Sequence, residues 1–334
     1  MNILITGGAG YIGSHLAVDL LKSRKNKIFI IDNFINSHFK TIINIKKITK
    51  RNFIFEKIDL LKKKKLDLFF YKHKIDIVIH LAGLKSISES ETKPFNYLNT
   101  NIVSALNLLS CMSKYSVRKI IFSSTAAVYG IPNYLPIDEK HLIKPINTYG
   151  KSKEIIENIL INLCNHNKIK TVILRYFNPV GAHKSGLIGE NPKNLPQNLM
   201  PVILNVISKN TSHLKIYGKD YKTKDKTAER DYIHINDLVR AHIKSIKLFS
   251  KNFSYQIINV GTGRVYSVLE FLNIFQKVNN LKIDYKFYPR RKGDVEKLLN
   301  DIKLSKKILK FKSRSSLEEA CVSAYNYFIK NNLL

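Results

Sequence analysis

The chain has 334 residues, 44% of them hydrophobic, and a formal net charge of +31 at pH 7. A chain of this length and composition can bury a large core, which predicts a globular protein of one large α/β domain or two closely joined ones. The lysines are spread through nearly every segment and no stretch reaches about 18 uninterrupted apolar residues, so we expect neither a nucleic-acid partner nor a membrane partner.

Six short apolar runs alternate with longer amphipathic stretches and predict strands. They cover residues 2–6, 27–32, 53–58, 76–82, 119–124 and 171–177. Strands that alternate with helices form a parallel sheet with helices on both faces. We therefore predict a doubly wound α/β fold of the Rossmann type.

Prolines and glycines become frequent immediately after Asn178. Such residues interrupt regular structure and mark a loop-rich connection. We therefore predict a Rossmann domain over residues 1–178 and a smaller C-terminal α/β region over residues 179–334. Some later segments are expected to return to the first domain.

The segment TGGAGYIG at residues 6–13 follows the first predicted strand and opens a helical run. Glycines at this spacing let the backbone turn sharply, let a pyrophosphate approach, and pack the helix close to the strand. The positive N-terminal end of the helix then faces the phosphates. A purely structural glycine turn is the alternative, but the order of strand, turn and helix favours a dinucleotide site.

Asp32 closes the second predicted strand, 19 residues after Gly13. A carboxylate at this position accepts hydrogen bonds from the adenosine ribose and repels a 2′-phosphate, which predicts NAD and not NADP. Asp59 and the pair Ala82–Gly83 also follow predicted strands, at the edge where ligands of such sheets bind. Each of these residues taken singly has an ordinary turn or loop as its alternative interpretation.

Tyr149 and Lys153 stand four residues apart at the start of an amphipathic helical segment. This spacing places both side chains on one face of the helix. An ammonium group beside a phenol favours the phenolate, as does the positive nicotinamide of oxidised NAD. The pair therefore predicts a tyrosine, with an ordinary pKa of about 10, that acts as a base near neutral pH.

The glycine segment, the Tyr149-x-x-x-Lys153 pair and the strand order resemble the extended short-chain dehydrogenase/reductase family. Within it, the chain resembles the epimerases of nucleotide sugars along essentially its whole length. The segments that match in order are residues 80–90, 174–183, 195–201, 230–238, 259–263 and 288–294. The resemblance implies an NAD-dependent isomerase of galactose metabolism that interconverts UDP-glucose and UDP-galactose.

The resemblance also implies how the reaction proceeds. Tyr149 removes the proton of the sugar 4-hydroxyl while the hydride at C4 passes to tightly held NAD, and both return after the 4-keto sugar has turned over. Lys153 would hold the nicotinamide ribose and tune Tyr149, and Thr125 would hydrogen-bond the oxygen at C4. Because no net redox change occurs, NAD is a retained cofactor.

The remaining site residues are carried over from the family position by position. The cofactor contacts implied are Gly7, Gly10, Tyr11, Ile12, Gly13, Asp32, Asn33, Phe34, Ile35, Asn36, Ser37, Asp59, Leu60, Leu81, Ala82, Gly83, Leu84, Lys85, Tyr149, Lys153 and Phe177. The substrate contacts implied are Thr125, Asn178, Asn198, Leu199, Lys215, Ile216, Tyr217, Arg230, Arg291 and Asp294. Two arginines suit a diphosphate, because a guanidinium group donates paired hydrogen bonds to phosphate oxygens.

Three positions depart from the family pattern. Thr125 stands where the family usually has serine, and its hydroxyl can serve the same role. Thr100 stands where an asparagine often contacts the cofactor, so we assign it no role. Leu298 falls near a position that gates the sugar pocket, where its intermediate size leaves open whether N-acetylated sugars are accepted.

Other activities of the fold differ at the two residues after Thr125. Dehydratases typically carry an Asp–Glu pair there and decarboxylases of this kind usually keep a Glu, whereas this chain has Ala126 and Ala127. Alanine cannot transfer a proton, so elimination is disfavoured. A 4-epimerase acting on UDP-N-acetylhexosamine or UDP-glucuronate remains an alternative. A non-catalytic NAD-binding regulator is the other class, disfavoured because Tyr149 and Lys153 are both present.

The three cysteines are far apart and odd in number, which favours a reducing cytoplasm over a disulfide framework. His80, His183 and His234 lack the spacing of metal ligands, so no metal is expected. The family resemblance implies a homodimer formed through two helices, near residues 101–115 and 152–164.

Overall fold

The computed structural model describes residues 1–291 and 293–331. All six predicted strands are confirmed, with ends that differ by at most two residues. The strands of the described residues are β1 Asn2–Thr6, β2 Lys27–Asp32, β3 Ile54–Lys57, β4 Ile77–His80, β5 Lys119–Thr125, β6 Lys170–Tyr176, β7 Asn178–Val180, β8 Leu214–Tyr217, β9 Glu229–Arg230, β10 Tyr232–His234, β11 Tyr255–Val260, β12 Tyr266–Ser267, β13 Tyr285–Tyr288 and β14 Lys297–Leu298.

Helices follow most of the strands. They are α1 Tyr11–Leu21, α2 Phe39–Thr49, α3 Lys63–Lys72, α4 Ile87–Thr92, α5 Pro94–Leu98, α6 Ser104–Lys114, α7 Thr148–Asn165, α8 Leu199–Ile207, α9 Ile235–Leu248, α10 Val268–Asn279, α11 Lys303–Leu309 and α12 Leu317–Lys330. A π-helical turn, Asn99–Val103, joins α5 to α6, and a 3₁₀ turn, Ala126–Tyr129, follows β5. No helix within the described ranges is both long and apolar enough to cross a membrane.

A seven-stranded parallel sheet forms the centre of the molecule, in the order β11-β6-β5-β4-β1-β2-β3. This confirms the predicted doubly wound α/β fold. The seventh strand, β11, was not among the six predicted. It pairs with β6 from Tyr255 opposite Thr171 to Val260 opposite Tyr176, so the chain returns to the first sheet after building part of the second region.

Two hydrophobic cores cover the faces of this sheet, because successive strand residues point to opposite sides. On β1, Ile3 and Ile5 face the core formed with α1, α2 and α9. Leu4 between them faces the core formed with α3, α6 and α7. All three side chains are completely buried. This burial of apolar area on both faces accounts for the continuous apolar runs that predicted the strands.

The second region is built on a third core and three small sheets. Its core joins α8, α10 and α12 around Ile203, Phe271, Phe275 and Ala320, all completely buried. The small sheets are β7 with β10, β8 with β13, and β12-β9-β14. Helix α9 packs on α1 of the first region. The domain boundary at residue 178 stays a prediction.

The turn between β1 and α1 requires glycine for two different reasons. Gly7 has φ +70, a backbone conformation that favours glycine. Gly13 lies inside the first turn of α1, where an added Cβ would be 2.4 Å from the Gly7 carbonyl oxygen and 2.6 Å from the Gly8 Cα. Both neighbours are backbone atoms, so the helix could not stay this close to the strand.

We predict that Gly13→Ala lowers the free energy of unfolding by about 1–3 kcal/mol, because overpacking forces backbone atoms apart. Gly10→Ala is the matched control, because its Cβ would lie 3.2 Å from the Gly7 oxygen at φ −73, which alanine adopts without strain. Urea unfolding followed by circular dichroism measures both. Equal losses for the two variants would contradict the packing described here.

Candidate active site

A cleft opens at the carboxyl ends of the parallel strands. Its walls come from the loops that follow β1 to β5, from the start of α7, and from residues 176–179, 189–192 and 198 of the chain that leads into the second region. Every predicted cofactor residue lines this cleft except Phe34. The Phe34 side chain packs instead against Phe39 and Phe55, with ring centroids 5.9 and 5.4 Å away.

The N-terminus of α1 presents free donors to the cleft. Gly10 precedes the helix without a side-chain cap, and the first turn contains no acidic residue. The first N–H groups of a helix have no partner within it, and the helix dipole makes this end positive. Tyr11 and Ile12 of this turn both line the cleft. The turn therefore suits an anionic group such as a pyrophosphate.

The Asp32 carboxylate is fixed at the end of β2. It accepts hydrogen bonds from the Ala9 N–H at 3.0 Å, the Phe34 N–H at 2.9 Å and the Ser37 hydroxyl at 2.8 Å. It is nearly buried but lines the cleft. A fixed negative charge at this position accepts from ribose hydroxyls and opposes a 2′-phosphate.

The start of α7 is anchored on three sides. The Asn147 side chain caps the helix by accepting from the Gly150 N–H at 2.8 Å. The Ser90 hydroxyl accepts from the Tyr149 N–H at 3.1 Å. A Cβ at Gly150 would lie 2.7 Å from the Ala127 carbonyl oxygen, so the helix touches the 3₁₀ turn closely. These contacts fix the position of the Tyr149 ring relative to the end of β5.

Thr125, Tyr149 and Lys153 meet in the cleft. The Lys153 ammonium donates to the Ser123 carbonyl at 2.8 Å and lies 6.0 Å from the centroid of the Tyr149 ring. The Thr125 oxygen accepts from the Ala127 N–H at 3.1 Å, which leaves its own proton free to donate. The Thr125 side chain also lies within range to lower the pKa of Tyr149 through hydrogen bonding.

Burial shifts both titratable groups toward their neutral forms. It raises the pKa of Tyr149 to about 12, although the hydrogen bond with Thr125 acts in the opposite direction. It lowers the pKa of Lys153 to about 8, against the charge of Glu157, which raises it. The expectation that Lys153 and the positive nicotinamide of oxidised NAD together bring the pKa of Tyr149 toward neutrality stays a prediction. Among the protein's own groups, loss of water around the phenolate has the largest effect on the pKa of Tyr149, so a positive charge beside the ring is needed to favour the phenolate.

The residues after Thr125 form the 3₁₀ turn without an acid or a base. Ala126 is buried in a small cluster with Val128, Tyr129 and Phe177. The Ala127 backbone N–H serves only to orient Thr125. Neither alanine side chain can exchange a proton with a ligand.

The predicted substrate residues divide into two groups. Asn178 and Asn198 line the cleft with Thr125. The others lie outside its lining, and three of them form a charged cluster. Asp294 pairs with Arg230 at 3.1 Å and with Arg291 at 3.0 Å.

The rest of the second group belongs to α8 and β8. Arg291 also covers the Tyr217 ring at 4.9 Å. Leu199 begins α8, and Lys215 and Ile216 belong to β8. The Ile216 side chain is part of the third hydrophobic core, so only its backbone could reach a ligand.

Two residues of the site carried no signal in the sequence. Glu190 lines the cleft and accepts from the Lys85 ammonium at 2.6 Å and the Asn198 amide at 2.7 Å. Asn101, in the π-helical turn, accepts from the Leu84 N–H at 2.8 Å and donates to the Ser152 hydroxyl at 3.0 Å. Each bridges segments that are distant along the chain, and neither belongs to a recognisable local motif.

Comparison with known proteins identifies the relatives of this chain. The model of the NAD dependent epimerase/dehydratase family matches residues 3–261. The UDP-glucose 4-epimerase of Bacillus subtilis is 41% identical over 332 residues, 99% of this chain and 98% of that protein. The UDP-glucose 4-epimerase of Haemophilus influenzae is 42% identical over 334 residues, with the same coverage. The crystal structure of UDP-glucose 4-epimerase from Bifidobacterium longum in complex with NAD+ and UDP is 38% identical, with a TM-score of 0.96 and 99% of both chains covered.

We predict that the free energy of unfolding of the wild type, relative to that of Lys153→Met, rises as the pH increases from 8 to about 10.5. The folded-state pKa of Lys153 is about 8 and the ordinary value is 10.5, so the unfolded chain binds more protons in this window. Stability therefore increases with pH there, by about 3 kcal/mol in total, and the full penalty of the buried charge applies below pH 8. Urea unfolding at several pH values measures this difference.

The control is Lys151→Met, which removes an exposed lysine from the same helix. If the free energies of unfolding of wild type and Lys153→Met ran parallel from pH 8 to 10.5, the assignment of a buried ammonium would be contradicted.

Proposed function

The chain belongs to the NAD dependent epimerase/dehydratase family, and we propose that it interconverts UDP-glucose and UDP-galactose by transient oxidation at C4 of the sugar. One observation carries this proposal. Thr125, Tyr149 and Lys153 meet in a cleft built for a dinucleotide, and the two residues after Thr125 are alanines. The cleft therefore contains the groups for oxidation at an alcohol but lacks the acid and base that elimination needs there.

Tyr149 is the proton carrier of the proposed reaction. Its oxygen takes the proton of the sugar 4-hydroxyl and returns it once the 4-keto sugar has presented its other face. Thr125 holds the same sugar oxygen through its hydroxyl, and Lys153 contributes positive charge that favours the phenolate. Bound NAD would accept a hydride from C4 and return it, and its positive charge would lower the pKa of Tyr149.

The residues of the cleft fit NAD on three counts. The glycine turn lets α1 pack close to β1 with its N-terminus at the cleft, α1 has uncapped N–H groups for the pyrophosphate, and Asp32 suits an unphosphorylated ribose. Residues 190–198 support retention of the cofactor. Glu190 bonds Lys85 on one side of the cleft, and the Lys193 N–H donates to Asn36 at 2.9 Å on the other.

We assign the UDP part of the substrate to the second region. Arg230 and Arg291 share one carboxylate, Asp294, so the cluster keeps a net positive charge that suits a diphosphate. Asn178 and Asn198 are proposed to hold the sugar at the mouth of the cleft. In this assignment residues 1–178 bind NAD and residues 179–334 bind the UDP-sugar.

An epimerisation assay with purified protein and UDP-glucose tests the function. The expected product is UDP-galactose, with no net reduction of the cofactor. Parallel assays with UDP-N-acetylglucosamine, which Leu298 leaves open, and with UDP-glucuronate decide between this substrate and the alternatives. Absence of any 4-epimer and of any trace of reduced cofactor would refute the epimerase, while binding of NAD alone would leave a non-catalytic binding protein.

We predict that Tyr149→Phe lowers kcat by about 10²–10⁴-fold, the usual contribution of a positioned acid–base group. The ring and its packing are retained, so the cofactor content of the purified protein should not change. Coupled spectrophotometric detection of UDP-galactose measures kcat. A kcat within a few fold of wild type would remove Tyr149 from the mechanism.

Thr125→Val is expected to lower kcat by roughly 10–100-fold, the effect of losing one hydrogen bond to a group that becomes charged. Thr125→Ser is the matched control, because it keeps the hydroxyl and should retain most of the activity. The same assay compares the two variants. If serine and valine behaved alike, the role given to the hydroxyl would be incorrect.

We also propose a homodimer and a cytoplasmic location. Val103 and Leu106 are exposed on the helical segment of residues 101–115, and Ile155 is half-buried on α7, which supports an apolar contact between copies. Three free and buried cysteines support a reducing compartment.

Leu106→Glu is expected to convert the dimer to a monomer, because it places a charge in the proposed apolar contact. Ile131→Glu is the matched control, since Ile131 is also exposed but lies outside these helices. Light scattering after size-exclusion chromatography measures the mass. A wild-type protein with the mass of one chain would contradict the dimer.

A further inference from the structure

A buried ion pair joins helix α7, one turn beyond Lys153, to strand β6. Tyr149, Lys153 and Glu157 are spaced four residues apart along α7 and therefore share one face. Glu157 forms a two-pronged pair with Arg175 of β6, with Arg175 Nη2 at 2.6 Å and Nε at 3.1 Å from the two carboxylate oxygens. Each side chain of the pair is only 3% exposed.

The pair connects the elements that carry the reacting groups. The Ser124 hydroxyl donates to Glu157, and Ser124 lies between Ser123, whose carbonyl accepts from Lys153, and Thr125. Arg175 also donates to the Tyr129 hydroxyl at 2.9 Å, at the end of the 3₁₀ turn. One buried pair thus joins α7, β5, β6 and this turn.

Stability alone explains this arrangement poorly. Removing two charges from water is expensive, and buried ion pairs replaced by apolar residues of similar volume often leave stability unchanged or improved. The structure offers a second reason for the pair. The Glu157 charge raises the pKa of Lys153, which burial would otherwise lower further.

We propose that the Glu157–Arg175 pair is the positioning unit of this site, which keeps Lys153 protonated and holds the end of β5 in register with α7. This inference rests on the proposed function. Neither residue touches the reacting atoms, so both act through Lys153 and Thr125. The carboxylate supplies the charge, and the arginine fixes that carboxylate beneath the lysine.

Few other groups near Lys153 titrate in the working pH range. The titratable and charged groups around it are Tyr149 and Glu157 on α7, His80 on β4, Arg175 and Tyr176 on β6, and Tyr129 after β5. Burial lowers the pKa of His80 to about 3 and raises those of Tyr129 and Tyr149 to about 12. With NAD bound, ionisation of Tyr149 would appear on the acidic limb of the activity profile, because the phenolate is the active form, so a change in the alkaline limb reports on Lys153.

The first test is Glu157→Gln, which keeps the size of the side chain and removes its charge. The loss of a neighbouring opposite charge should move the alkaline limb of the kcat/KM profile down by roughly one pH unit. The matched control is Asp237→Asn. Asp237 is also a buried carboxylate that pairs with an arginine, Arg240 at 3.1 Å, but it lies on α9 outside the cleft. The Asp237→Asn substitution should lower the free energy of unfolding without shifting the alkaline limb of the kcat/KM profile.

A second variant keeps the proposal testable if Glu157→Gln does not fold. The double variant Glu157→Leu/Arg175→Met removes both charges and leaves no unpaired ion, so it should fold. Its alkaline limb should also move down, by less than in Glu157→Gln, where the unpaired Arg175 adds repulsion. A double variant with the wild-type limb, or an equal shift in Asp237→Asn, would overturn the proposal.

A measurement without activity separates this inference from the proposed function. In wild type, stability relative to Lys153→Met is expected to start rising near pH 8. In a Glu157→Gln background, the free energy of unfolding relative to the corresponding Lys153→Met variant should start to rise at a pH roughly one unit lower. An unchanged onset would overturn the proposal even if the enzyme epimerises UDP-glucose, and a shifted onset would support it even if another sugar is the substrate.

Discussion

The site depends on holding α7 at a fixed height against the ends of β5 and β6. Tyr149 and Lys153 reach the cleft from the helix, whereas Thr125 reaches it from the strand, so a small slide of one element would separate them. The helix is fixed by its cap at Asn147 and by the contact between Gly150 and Ala127. The Glu157–Arg175 pair holds the following turns of α7 against β6 of the sheet. In the proposed reaction, positioning to within fractions of an ångström would make these three side chains a catalytic group.

The charges of the cleft indicate why the proposed chemistry needs a positively charged cofactor. Burial makes the Tyr149 phenolate unfavourable and also weakens the Lys153 cation. A positively charged ring beside them would favour the phenolate only while it is oxidised, and it would disfavour the Lys153 cation further. The acid–base state of the tyrosine and the redox state of the cofactor are therefore coupled in this account, and the two alanines after Thr125 leave no other proton transfer to compete.

The sequence predicted the parts of the site that are local. The glycine turn, Asp32 at a strand end and the Tyr149–Lys153 spacing each depend on a few neighbouring residues, and the alternation of strands and helices predicted the sheet. Contacts made across long separations left no such pattern. Lys85 and Glu190 are 105 residues apart, and Glu157 looked like any polar residue of an amphipathic helix until Arg175 was placed beside it. Strand β11 was missed for the same reason, because only its pairing with β6 defines it.

In the proposed reaction, the hydrogen removed from C4 returns to the same carbon on the opposite face. This can be tested with UDP-glucose deuterated at C4, by following the UDP-galactose formed with NMR and mass spectrometry. We expect the deuterium to stay at C4 and no solvent hydrogen to enter there. Solvent hydrogen at C4, or a product that has lost an oxygen, would contradict the proposed reaction.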